Sequence, residues 1–73
     1  MYALHLTVAS REGALIRVLG LAERRGYTPV SVGVETESCG AYRVFLDVRS
    51  SRPPALLARQ LSRLREVRSV VVL

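Results

Sequence analysis

Apolar and polar residues alternate strictly from Tyr2 to Val8, with Tyr2, Leu4, Leu6 and Val8 on one side and Ala3, His5 and Thr7 on the other. A period of two predicts a strand with one buried face. The period then lengthens. Leu15, Val18, Leu19 and Ala22 recur at i, i+3, i+4 and i+7, which lays one apolar stripe along a helix. Ser10 is the expected cap of that helix, with Glu12 near its positive end. Gly26, after two arginines, is the expected stop. From Tyr27 to Thr36 the valines at 30, 32 and 34 share one face, against Pro29, Ser31, Gly33 and Glu35. This predicts a second strand, and its proline and glycine suit an edge. Glu37 to Gly40 reads as a turn, and Tyr42, Val44, Leu46 and Val48 alternate beyond it, so strands two and three form a hairpin. Ser50 to Pro54 marks a boundary at which a serine can cap and a proline can open a helix. Leu57, Leu61 and Leu64 then give a second helical stripe, expected to end near Arg65. Val67 to Leu73 is β-branched and predicts a last strand, buried on more than one side or paired at the centre of an assembly.

The order β-α-β-β-α-β over residues 1–73 is that of a single ferredoxin-like α+β domain, with two helices on one face of a four-stranded antiparallel sheet. Right-handed crossovers put strands one and three in the middle and leave strands two and four as edges. The valines of strand two are then available to another chain.

A chain of 73 residues buries only about 60% of the surface its unfolded form exposes, so self-association is a natural source of further stability. The net charge is +5, from eleven basic residues that are all arginine and six acidic ones. A positive field attracts anions, nucleic acid or an acidic protein surface. The arginines are nevertheless scattered along the chain, and biased coding explains the absence of lysine more simply. One cysteine, Cys39, has no internal disulfide partner and suits a reducing cytoplasm. The N-terminal alternation lacks a secretory h-region, and no window approaches the roughly 18 apolar residues of a membrane span.

Chemistry is sparse. His5 is the only histidine, expected on the open sheet face near Asp47, and no carboxylate pair or phosphate loop is evident. The paired thiolates of a metallochaperone are missing. Arg43 and Phe45 on the open face echo RNA-binding modules, but the first strand contributes no aromatic there, so nucleic acid is not the expected partner. The turn from Ala9 to Gly13 remains. Its glycine allows close backbone approach, and the free N–H groups of a helix start can hold a carboxylate. Such turns also occur where nothing binds, and the residues alone leave both readings open.

Two stretches are more specific. Gly13-Ala-Leu-Ile-Arg-Val-Leu-Gly-Leu-Ala-Glu-Arg-Arg-Gly-Tyr27 with its following valine-rich strand, and Gln60-Leu-Ser-Arg-Leu-Arg-Glu-Val-Arg-Ser-Val70, resemble the ACT domain of the small regulatory subunit of acetolactate synthase. The resemblance implies a non-catalytic chain that pairs with a second copy through edge strand two. It also implies a site for an amino acid such as valine between the first turn (Ser10, Gly13, Ala14) and Thr28, Pro29 and Val30 of the partner copy. Valine-sensitive subunits typically carry asparagine at the positions of Ser10 and Thr28, and an aliphatic residue at that of Pro29. With the short length, this implies the valine-insensitive type, which activates the catalytic subunit in branched-chain amino-acid biosynthesis. Thiamine diphosphate, magnesium and FAD are then expected only in that catalytic partner, with no cofactor or metal in this chain. A free-standing ACT module that senses a small amino acid at a dimer interface is the other expectation.

Overall fold

A computed structural model describes residues 1–37 and 40–73. Ser38 and Cys39, the centre of the expected hairpin turn, lie outside the described residues. The elements are β1 (Tyr2–Ala9), α1 (Ala14–Arg24), β2 (Thr28–Glu37), β3 (Ala41–Arg49), α2 (Pro54–Leu61) and β4 (Val67–Val72). The sheet order is β2-β3-β1-β4, all pairs antiparallel, so the expected ferredoxin-like arrangement holds, with β1 and β3 central.

One face of the sheet carries the core. Leu4, Leu6 and Val8 of β1 stand opposite Leu46, Val44 and Tyr42 of β3, and Val44, Leu46 and Val48 are wholly buried. The helices seal this face with Ala14, Val18, Leu21 and Ala22 of α1 and Leu57 and Leu61 of α2. The stripe on α1 is turned slightly from the predicted one: Leu21 is core, whereas Leu15 and Leu19 are only partly buried. Tyr27 is the largest fully buried side chain. It sits between α1 and β2 and donates its hydroxyl hydrogen to the carbonyl of Pro53, 2.5 Å away, tying the start of α2 to the end of α1.

Four local expectations are corrected. Helix α1 begins at Ala14 after Gly13 in the left-handed region, with φ 79°, so Ser10 lies outside capping reach and no acidic residue falls in the first turn. Ser50 does not cap α2, whose N-cap is Pro53. Its hydroxyl instead donates to the Gly26 carbonyl at 2.8 Å and accepts the Arg52 N–H at 3.0 Å, stitching the two connections together. Helix α2 stops at Leu61, well before Arg65, and a tight turn follows. Strand β4 is not buried on both sides: within the chain it is the second edge, with Val71 53% and Leu73 67% exposed.

Strand β2 is the other edge. Its register shifts between Pro29 and Ser31, where proline has no N–H to give the ladder. Val32 and Val34 pair with Leu46 and Val44 and so face the helix side, beyond the helices' cover; they are 41% and 43% exposed. His5 stands opposite Phe45, not Asp47, their rings edge to face at 4.5 Å. Asp47 instead accepts a 2.7 Å hydrogen bond from Ser31.

Candidate functional site

The turn between β1 and α1 is held from three sides. The Ala9 N–H donates to the Glu66 carbonyl at 2.7 Å, ahead of β4, and the Ser10 N–H donates to the Gly40 carbonyl at 2.9 Å, at the foot of β3. Within the turn, Ala14 N–H bonds to the Arg11 carbonyl and Arg17 N–H to the Gly13 carbonyl. Only glycine takes up the φ of 79° at position 13 without cost, and a Cβ there would lie 3.0 Å from an Arg17 guanidinium nitrogen.

Arg17 is the brace. Its guanidinium donates to the Glu12 carbonyl at 3.1 Å and forms an ion pair with the Glu66 carboxylate. Glu66 is the one buried charged side chain among the described residues. Hydrogen bonding from its own backbone amide is the largest influence holding its carboxyl below the ordinary value of 4.5. Burial opposes this, while the hydrogen bond from Arg17 and the charges of Arg17 and Arg11 add to it. A carboxyl with a lowered folded pKa contributes stability above its unfolded pKa and loses that contribution as pH falls through the folded value. The wild type should therefore lose stability on acidification below about pH 4.5, and Glu66→Gln should be less stable at pH 7 and flatter over that acid range. Thermal melts from pH 7 down to pH 3 check this, and parallel curves for the two proteins would sink it.

These contacts shape a depression of about 340 Å³ lined by Ser10 to Ile16 and Tyr42. Ala14, Leu15, Ile16 and Tyr42 supply its apolar part, and Ile16 is 77% exposed. The amides of Glu12, Gly13, Leu15 and Ile16 find no acceptor among the described residues. Those of Leu15 and Ile16 are orphan donors of the first helical turn, at the positive end of the dipole. A carboxylate with a small apolar substituent matches donors of that kind beside a wall of that kind.

The structure thus brings Ser10, Gly13 and Ala14 together. Thr28, Pro29 and Val30 of the same chain lie elsewhere: Thr28 pairs with Arg49 and Pro29 with Val48, at the far end of a ten-residue strand. That end is about 30 Å from Glu37 at the usual rise per residue. The Arg17–Glu66 pair was not evident from the sequence, because 49 residues separate the partners. The one signal was an acidic residue in an arginine-rich run, Arg63-Leu-Arg-Glu-Val-Arg68.

Charge divides between the layers. Eight arginines lie in the helices and connections and a ninth, Arg68, at the start of β4, accompanied there by Glu12, Glu23 and Glu66. Arg43 and Arg49 belong to the sheet with Glu35, Glu37 and Asp47, and Arg43 is engaged by Glu37 at 2.8 Å. The open face, where His5, Thr7, Arg43, Phe45, Ser69 and Val71 line a second hollow of about 310 Å³, therefore lacks the positive excess that a phosphate backbone needs. No group of three or more metal-ligating side chains occurs among the described residues, and no helix is long and apolar enough to cross a membrane.

A four-stranded antiparallel sheet backed by two helices, with a ligand-sized hollow at the first strand-to-helix turn, defines the class of small ferredoxin-like modules. Within that class the chain belongs to the ACT domain family, whose model matches residues 10–70; ACT domains are regulatory modules. The structure is similar to the crystal structure of the ACT domain from the GTP pyrophosphokinase of Chlorobium tepidum. The TM-score is 0.80, with 99% of this chain and 95% of that chain covered. At 12% identity this likeness is one of fold. No curated protein sequence matches the chain.

Proposed function

We propose that this chain is a non-catalytic regulatory subunit that works as a two-fold pair and binds the carboxylate of a small amino acid at the β1–α1 turn. The observation that carries the reading is the set of four acceptor-free amides on residues that line a largely apolar hollow. The exposed edge of β2 supports the pairing. A two-fold axis near Gly33 would bring Val32 of one copy against Val34 of the other and cover both. The same operation would set Thr28 to Val30 of the partner against the Glu37 end of β2, beside the turn that Ser10 ties to Gly40. Residues at opposite ends of one chain would thus close one site across two chains. Backbone amides would hold the carboxylate, while the partner's strand would meet the amino acid's other groups.

The enzyme we assign to this regulator is acetolactate synthase, on the strength of residues 13–27 and 60–70. The thiamine-diphosphate chemistry would then belong wholly to the catalytic subunit. This chain would activate by binding the active arrangement more tightly than the inactive one, since equal affinity shifts nothing. Ser10 and Thr28 offer short hydroxyls where an amide both donates and accepts, so valine is not the expected inhibitor.

The test is acetolactate formation by the catalytic subunit from the same source, with and without this chain, across a range of valine concentrations. Stimulation insensitive to valine is expected. No stimulation with both proteins folded would remove acetolactate synthase as the partner. Calorimetric titration with a panel of amino acids then addresses the alternative, a free-standing sensor, and a flat response to every one would remove the effector site as well.

A further inference from the structure

We propose that β4 is a second self-association edge, through which the chain pairs with another copy in an antiparallel register centred on Val70. The proposal stands apart from the pairing of β2 and concerns the opposite side of the sheet.

The two edges are built differently. Strand β2 is interrupted by Pro29, a register shift and Gly33, and carries the charges of Glu35 and Glu37. Strand β4 has neither proline nor glycine, and Arg68 is its single charge. Its register shift lies at the Thr7/Val8 end, before Val70, so Ser69 to Val72 runs regularly. That run places Val71 on the open face and Val70 and Val72 on the helix side, leaving Val71 53%, Val72 38% and the following Leu73 67% exposed. A regular, valine-rich, nearly uncharged edge is a template for another strand.

The hydrogen-bond pattern narrows the register, and the length of strand engaged then decides it. Leu73 N–H donates to the Ala3 carbonyl, so residues 73, 71 and 69 spend their backbone groups on β1. Alternation along the ladder turns the N–H and C=O of Val70 and Val72 to the free edge. In a two-fold antiparallel pair, facing residues lie on the same side of the sheet, and the bonded ones must be those with outward groups. Centring on Val70 or on Val71 meets both conditions, but the first pairs residues 67 to 73 whereas the second pairs only 69 to 73. Val70 then exchanges both bonds with its own copy, Val72 falls opposite the partner copy's Arg68, and Val71 falls opposite its Ser69. Centring on Arg68 would oppose two arginines, and centring on Val72 would leave most of the strand unpaired. The occupant that fits is therefore a second copy of this strand, which sets Val70 against Val70 at the centre and no like charges face to face.

Sedimentation velocity on the intact chain tests the register through a charge pair. Val72→Arg places an arginine opposite Arg68 of the other copy and should break the assembly at β4, lowering its mass by half or more. Adding Arg68→Glu to that variant turns repulsion into attraction and should restore the mass. Amide exchange reads the same interface directly: the Val70 N–H should be protected in the wild type and in the double variant, and exposed in Val72→Arg. Circular dichroism checks that each variant is folded. If β2 also pairs, the steps run from tetramer or larger to dimer; if it does not, they run from dimer to monomer, so the two interfaces fail separately. An assembly mass unchanged by Val72→Arg, a monomeric wild type, or an unprotected Val70 amide would each overturn the proposal.

Discussion

Tyr27→Ala should cost the domain a large part of its stability. Truncating a fully buried aromatic costs about 3–5 kcal/mol, and a chain of this size has about 4–11 kcal/mol in total. The loss is concentrated where it does most harm. The Tyr27 ring fills the space between the end of α1, the start of β2 and the core, and its hydroxyl holds Pro53 ahead of α2. Tyr27→Phe keeps the ring and removes only the hydroxyl, leaving the Pro53 carbonyl without that donor, and should cost about 1 kcal/mol. Urea denaturation of the three proteins gives the comparison. A Tyr27→Ala protein within 1 kcal/mol of the wild type would mean that the ring does not support the core as described.

The second large effect concerns Gly13. Gly13→Val should abolish amino-acid binding at the first turn while lowering stability by only about 1–2 kcal/mol, the usual penalty for a side chain in the left-handed region. Two causes act together. The backbone must leave φ 79°, which re-aims the amides of the turn, and the new Cβ meets the guanidinium that braces Glu12 and Glu66. Charge-assisted hydrogen bonds contribute about 1.5–3 kcal/mol each. Losing two of them weakens binding by about a hundredfold or more. Gly13→Asn tolerates the left-handed region better, so it should melt closer to the wild type yet still bind weakly, because its side chain also stands against Arg17. Titration calorimetry beside a thermal melt separates the effects. Full binding by a folded Gly13→Val protein would show that the ligand does not use this turn.

The frame of the fold is legible because it rests on periodicity. Alternation in β1 and β3 and the leucine stripes of the helices report directly which side must be buried, and the right-handed crossover rule then orders the strands. Caps are less legible. Ser10 and Ser50 have the right chemistry for capping, but the helices start four residues later, after Gly13 and Pro53, and the Ser50 hydroxyl is drawn into other contacts. Strand β4 misleads for a related reason: a valine-rich run looks the same whether another strand of this chain or another molecule covers it. Tyr27 reads as the start of a strand, and nothing local marks it as the largest core residue. For the site, Gly13 and its neighbours stand out as a strand-to-helix turn, whereas the brace that shapes it joins Arg17 to Glu66 across most of the chain.

The unequal division of charge between the layers gives the molecule a permanent dipole, positive at the helices and faintly negative across the open sheet. A partner with an acidic surface meets that dipole before it meets any one side chain. The field turns the approaching domain helices first, over distances comparable to the screening length of roughly 8 Å at physiological salt. Orientation is thus selected before contact, at the level of long-range steering. Rising ionic strength should slow such encounters while leaving the lifetime of the finished complex little changed.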